Sequence, residues 1–175
     1  MTAAARPARD GGFAPAANES SAPRYRQARV DACQSARIIR RDDGAYLFVR
    51  HTYWKRWGTA GGLAKRGERP ELAAVRETME EVNLAVELVG EPAVVVDPRP
   101  HRVDVVFLAR PAAGADLDEV RPSSPEIEGL GWFQLDELPP LQPETVSALR
   151  ALERAGLIEL DGVDLPARST ARDAG

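Results

Sequence analysis

The segment from Pro70 to Asn83 reads as one helix of about three turns, and its charges restrict what can surround it. Pro70 suits the first helical position, because its fixed φ is already helical and its missing N–H would go unpaired there anyway. Glu71 is favourably placed in the first turn. Asn83 can take the left-handed conformation that stops a helix, so the helix is expected over Glu71–Val82 behind Pro70. At ~100° per residue, Leu72, Val75, Met79 and Val82 gather on one side and are expected to face a core. Glu77, Glu80 and Glu81 gather opposite them. Each like-charge pair one turn apart costs roughly 0.2–0.5 kcal/mol. Carboxylates in the last turn also face the negative end of the helix dipole, at roughly 0.3–1 kcal/mol each. Arg76, four residues before Glu80, relieves only part of this. A solvated acidic face is the ordinary outcome for an acidic helix. Here the glutamates crowd the unfavourable end, no basic residue follows them within a turn, and the glycines Gly61 and Gly62 precede them. A divalent cation resolves the crowding. An all-oxygen donor set suits Mg²⁺ or Mn²⁺ rather than zinc, whose sites favour Cys and His.

The surrounding sequence supplies a sheet for such a helix. Residues 32–40 and 45–50 read as two strands joined at Asp43-Gly44. Residues 85–96 and 102–110 are β-rich runs separated by Asp97-Pro-Arg-Pro-His101, and Gly131–Leu135 is a short strand. A second helix begins at Pro143 and ends before Gly156. Strands interrupted by two separated helices predict an α/β fold in which a mixed sheet is covered on both faces. Residues 1–24, rich in Ala, Pro, Gly and Ser, are expected to be a disordered tail, 25–160 the folded domain, and 161–175 a flexible tail.

The 175 residues carry a formal net charge of −4, which argues against sequence-independent nucleic-acid binding. No apolar run approaches the ~20 residues that span a bilayer. Arg6, Pro7, Arg9 and Asp10 interrupt what would be a secretory signal, so no membrane and a cytoplasmic location are expected. Cys33 is the sole cysteine and is read as a small core residue in a reducing compartment.

The spacing of the charged residues is similar to the signature of the Nudix hydrolase family. Gly62 is followed after five residues by Glu68, and after seven more by Arg76-Glu77, then Glu80-Glu81 and Leu84. The resemblance extends from about Gln34 to Leu152 and includes Trp57, Trp132-Phe133 and Asp136-Glu137-Leu138-Pro139. Asn83 replaces the last glycine of the signature, Thr78 an apolar residue, and Ala60 a proline before the glycines.

This resemblance implies a Nudix-type α/β/α sandwich around a central mixed sheet. It implies Mg²⁺- or Mn²⁺-dependent hydrolysis of a nucleoside diphosphate linked to another group. Glu77 and Glu81 would then be principal metal ligands, Glu80 a further ligand or the general base, and the Gly61 carbonyl would complete the shell. Glu68 and Arg76 would fix the geometry of the cluster, while Gly61 and Gly62 would let the backbone approach the phosphates. A further glutamate acting as base or ligand is expected at Glu126, with Glu128 second. Pro98 resembles a proline of ADP-ribose-cleaving members, so ADP-ribose or a nucleotide sugar is favoured over nucleoside triphosphates. Tyr53 and Trp54 are candidates to stack on a base, and His101 to touch substrate. Many members form homodimers, and the resemblance admits one here. A catalytically silent nucleotide-binding regulator is the alternative, and the complete set of Glu68, Arg76, Glu77, Glu80 and Glu81 argues against it.

Overall fold

In a computed structural model of the chain, the described residues are 32–98 and 101–166. Seven strands form one mixed sheet: β1 (Ala32–Arg40), β2 (Tyr46–His51), β3 (Trp57–Gly58), β4 (Gly61–Leu63), β5 (Val86–Pro98), β6 (His101–Pro111) and β7 (Ile127–Phe133). Helix α1 (Pro70–Val82) lies between β4 and β5, and α2 (Pro143–Arg154) follows β7. The expected strands are present, with two additions that propensity does not show. The glycine stretch itself forms β3 and β4, and β7 begins at Ile127 rather than Gly131.

Strand β1 is central. It runs parallel to β6 over Ala32–Ile39 on one edge. On its other edge it pairs antiparallel with β2 at Ile39 and Arg40, and with β4 at Gln34, Ser35 and Ala36. Successive residues point to opposite faces of a strand, and the two cores follow. Ile38 joins Phe48, Val106, Leu108 and the α2 residues Leu149 and Leu152. Ile39 joins Leu47, Val49, Ala109 and, from α1 and the residues just after it, Val82 and Leu84. The sheet is therefore covered on both faces, as expected.

Helix α1 departs from the expected orientation. Leu72 is 62 % exposed, Val75 38 % and Met79 43 %, so of the four residues expected to face the core only Val82 does. The face against the sheet is Ala73, Ala74, Thr78, Glu81 and Val82. This is a rotation of roughly a third of a turn from the stripe of large apolar residues. Small side chains let the helix settle close to the sheet, and Glu81 is drawn inward with them. Thr78 is fully buried, and its hydroxyl donates to the Ala74 carbonyl at 2.9 Å. Asn83 ends the helix at φ 54° and ψ 42°, the left-handed conformation expected of it, with its N–H on the Met79 carbonyl.

Past α2, Leu157, Ile158, Leu160, Val163 and Leu165 continue across the same core. Arg150 fastens this segment by donating to the carbonyls of Leu165 and Pro166. The first residues of the expected C-terminal tail are thus packed. The expected N-terminal tail, residues 167–175 and the side chains of Cys33 and His101 lie outside the described residues. No helix among the described residues is long and apolar enough to cross a membrane.

Candidate active site

Strand pairing brings β4 to the carboxylates. Gly61 lies opposite Ala36 and Gly62 opposite Ser35. From this position the Gly61 N–H donates to Glu81 Oε2 at 2.8 Å. The contact shown at Gly61 is therefore its N–H on a carboxylate. A Cβ added to Gly62 would stand 2.5 Å from the Glu77 carboxyl carbon, so only glycine leaves room for that side chain. Gly62→Ala is expected to leave the fold intact, because a flexible carboxylate tip can swing aside. Displacing Glu77 should still lower hydrolysis about a hundredfold. Circular dichroism alongside a rate measurement checks both halves.

The three glutamates of α1 differ in environment. The side chain of Glu81 is 9 % exposed, that of Glu77 17 % and that of Glu80 53 %. Arg76 spans two of them: its Nη1 lies 2.6 Å from Glu77 and 2.9 Å from Glu80, while Nε and Nη2 each donate to Glu68 at 2.8 Å. The paired guanidinium, then the Lys65 N–H, hold the Glu68 carboxyl down at about 2. Arg76 in turn is raised, first by Glu68 and then by Glu77.

The sequence reading missed Arg37. Its side chain is fully buried under α1, with Nη2 3.5 Å from Glu81 Oε2 and Nη1 on the carbonyl and hydroxyl of Ser35 at 3.2 Å. Nε and Nη2 have no hydrogen-bond acceptor. Burial lowers Arg37 to about 10 against the opposing pull of Glu81. Burial also raises Glu81 to about 7, although Arg37 and the Gly61 N–H pull the other way. The signal was available in the period-two alternation, which puts Ser35, Arg37 and Ile39 on one face of β1, toward α1.

Glu126 lies within electrostatic reach of this centre. Its carbonyl accepts from the Thr52 N–H at 2.9 Å, and its charge is felt at Glu81, His51 and Tyr53. Glu128 turns instead to Arg50, 2.5 Å away. Tyr53 and Trp54 are 63 % and 48 % exposed beside His51, with the Tyr53 ring 5.4 Å from the imidazole. Trp57 packs edge-on against Phe133 at 5.0 Å and belongs to the core.

Among the described residues no three His, Cys, Asp or Glu side chains stand close enough together to enclose an ion. Arg76 bridges Glu77 and Glu80, and Arg37 lies against Glu81, each neutralising part of the charge. The donor set nonetheless suits a hard divalent cation. It consists of carboxylate oxygens, and the buried Glu81 has so little compensation that burial, the largest influence on it, drives it toward neutrality.

A mixed sheet that seats one acidic helix against a double-glycine strand defines an α/β protein with a carboxylate-built site. The chain belongs to the NUDIX family, whose domain pattern matches residues 34–154. The NAD-capped RNA hydrolase NudC of Photorhabdus laumondii is 32 % identical over 117 residues, covering 66 % of this chain and 44 % of that protein. The chain therefore spans less than half the length of that relative. A MutT-like protein of Streptomyces ambofaciens is 29 % identical, covering 69 % of this chain and 77 % of its own length. Among solved structures, an ADP-ribose pyrophosphatase from Streptococcus suis superposes with a TM-score of 0.57 at 26 % identity, covering 71 % of this chain and 91 % of that one.

Proposed function

We propose that this protein hydrolyses the pyrophosphate bond of a nucleoside diphosphate joined to a second group, with Mg²⁺ or Mn²⁺ as cofactor. The observation that carries the reading is the seating of Glu81 and Glu77 against Gly61 and Gly62, with Glu126 in electrostatic reach. Two similar proteins point to the substrate class. The names NAD-capped RNA hydrolase and ADP-ribose pyrophosphatase both refer to compounds that contain an ADP unit joined to a second group. ADP-ribose and nucleotide sugars are favoured on this ground, nucleoside triphosphates next.

Glu77, Glu81, Glu80 and the Gly61 carbonyl would hold the cation. When bound, it supplies charge neutralisation on the phosphate oxygens and acidifies water. The chain's own groups do the rest. Gly61 and Gly62 leave the phosphates a side-chain-free approach. The Glu68–Arg76 pair fixes where Glu77 and Glu80 stand, a positioning role of the kind that outer-shell partners play. Glu126 would accept a proton from the attacking water, with Glu80 as its alternate. Tyr53 and Trp54 offer exposed rings to the nucleobase.

A panel of ADP-ribose, NAD, nucleotide sugars, dinucleoside polyphosphates and nucleoside triphosphates, assayed with and without Mg²⁺ or Mn²⁺, tests this. Cleavage of at least one diphosphate-linked compound, abolished by EDTA, is expected. Silence across the panel would favour a nucleotide-binding regulator.

A further inference from the structure

Gln142 stands at the N-cap of α2, a position that Ser, Thr, Asp or Asn would fill to hold the first N–H groups of the helix. Its side chain makes no such bond. The amide Nε2 lies instead 3.2 Å from the Arg56 carbonyl and 3.4 Å from His51 Nδ1. The residue is fixed in this place. Its N–H donates to the Trp57 carbonyl at 2.8 Å, and Trp57 in turn donates to the Pro140 carbonyl at 2.9 Å. A Cβ on Gly58 would stand 2.9 Å from the amide, so the glycine leaves the side chain its room.

These contacts assign the protonation of His51. The Arg56 carbonyl can only accept, so the atom beside it is the amide nitrogen, a donor that cannot itself accept. His51 Nδ1 can meet that nitrogen only as an acceptor, which puts the imidazole proton on Nε2. An imidazolium, with hydrogen on both ring nitrogens, would set donor against donor. Burial works in the same direction: His51 is 9 % exposed, and its pKa is lowered by burial against the opposing pull of Glu126. Backbone pairing brings Glu126 near. His51 is paired with Ile127, and Thr52 donates to the Glu126 carbonyl at 2.9 Å. The register slips between Arg50 and His51, so Glu128 is the extra residue of β7 and Glu126 comes level with Thr52. Bulges of this kind re-aim side chains beside active sites.

We propose that His51, held by Gln142 as the neutral Nε2–H tautomer, is a positioning residue that donates a hydrogen bond to the Glu126 carboxylate. A neutral donor orients a carboxylate base and leaves it its basicity, whereas an imidazolium would hold the negative charge and weaken the base. The proposal deepens the hydrolytic reading and rests on it for what Glu126 does in turnover; the hydrogen bond itself does not depend on that reading.

Nitrogen–proton correlation NMR on the full chain, labelled with nitrogen-15 at histidine, tests it. The chain has two histidines, and His101→Asn identifies the signals of His51. Wild type at neutral pH, without substrate or metal, should show the Nε2–H pattern. Gln142→Met should move it toward a mixture of tautomers, and Glu126→Gln should shift the Nε2 proton upfield as its acceptor weakens. Two substitutions then divide the ring, since glutamine puts an N–H near the place of Nε2 and asparagine near that of Nδ1. With ADP-ribose and Mn²⁺, His51→Asn should lower kcat about tenfold at unchanged KM, while His51→Gln stays within about threefold of wild type. An Nδ1–H or doubly protonated imidazole in wild type overturns the proposal. So does a tautomer unmoved by Gln142→Met, an Nε2 proton indifferent to Glu126→Gln, or equal loss of kcat in the two His51 variants. Inactivity on every diphosphate would leave the NMR results to decide the hydrogen bond and would count against the hydrolytic reading alone.

Discussion

Replacing Glu81 by glutamine is expected to lower turnover by at least about two orders of magnitude while the protein stays folded. Glutamine keeps the shape and an oxygen acceptor for the Gly61 N–H, at some cost in stability because the buried Arg37 is left without its counter-charge. What it loses is the negative charge that a cation needs. The same exchange at Glu80 should be milder in its effect on folding and on site geometry, since that side chain is 53 % exposed and its polar partner among the described residues is Arg76. Steady-state rates and thermal melts on both variants separate the cases. A Glu81→Gln protein with near-normal rate would place the chemistry elsewhere.

Arg37→Met carries the second large effect, on stability. Removing one member of a buried ion pair leaves the other charge uncompensated, at a cost of about 3–5 kcal/mol. The cost depends on pH in a definite direction. Glu81 is raised from its ordinary 4.5 to about 7, so the folded protein holds more protons than the unfolded chain between those values. Stability of the metal-free protein therefore falls as pH rises through that window. Without Arg37 the carboxyl rises further, and the window extends upward. The variant's deficit should be full near pH 8 and much smaller near pH 5, where Glu81 is neutral with or without its partner. Urea unfolding in EDTA at the two pH values reads this directly. Equal deficits at both would show that Arg37 acts through packing rather than charge. Adding Glu81→Gln to the variant should recover most of the loss, because the uncompensated charge is gone.

Much of this site was legible in the sequence because its residues lie in one continuous stretch. Pro70 and Asn83 mark the ends of α1, and the interval from Gly62 to Glu81 is set by the requirement that a strand and a helix face meet. The mixed sheet followed from the order of strand and helix signals. The orientation of α1 was not legible, since Leu72, Val75 and Met79 outweigh two alanines on any scale of apolarity. What decides it is tertiary: a glycine strand and a buried arginine wait on one side for Glu81. Arg37 was missed for a related reason. A lone basic residue inside a strand ordinarily reads as solvent-facing, and its partner is 44 residues away along the chain. The short strands β3 and β4 were not among the expected strands because glycine disfavours strands by propensity, and β4 owes its pairing to β1.

The central claim is that the carboxylates of α1, seated on the glycine strand, form a site for a divalent cation. Titration of the full chain with Mn²⁺, following the free ion by electron paramagnetic resonance, tests it without reference to any substrate. Wild type should remove Mn²⁺ from solution, and Glu77→Gln/Glu81→Gln should leave it free at the same protein concentration. Equal uptake by the two proteins, or none by wild type, would contradict the account.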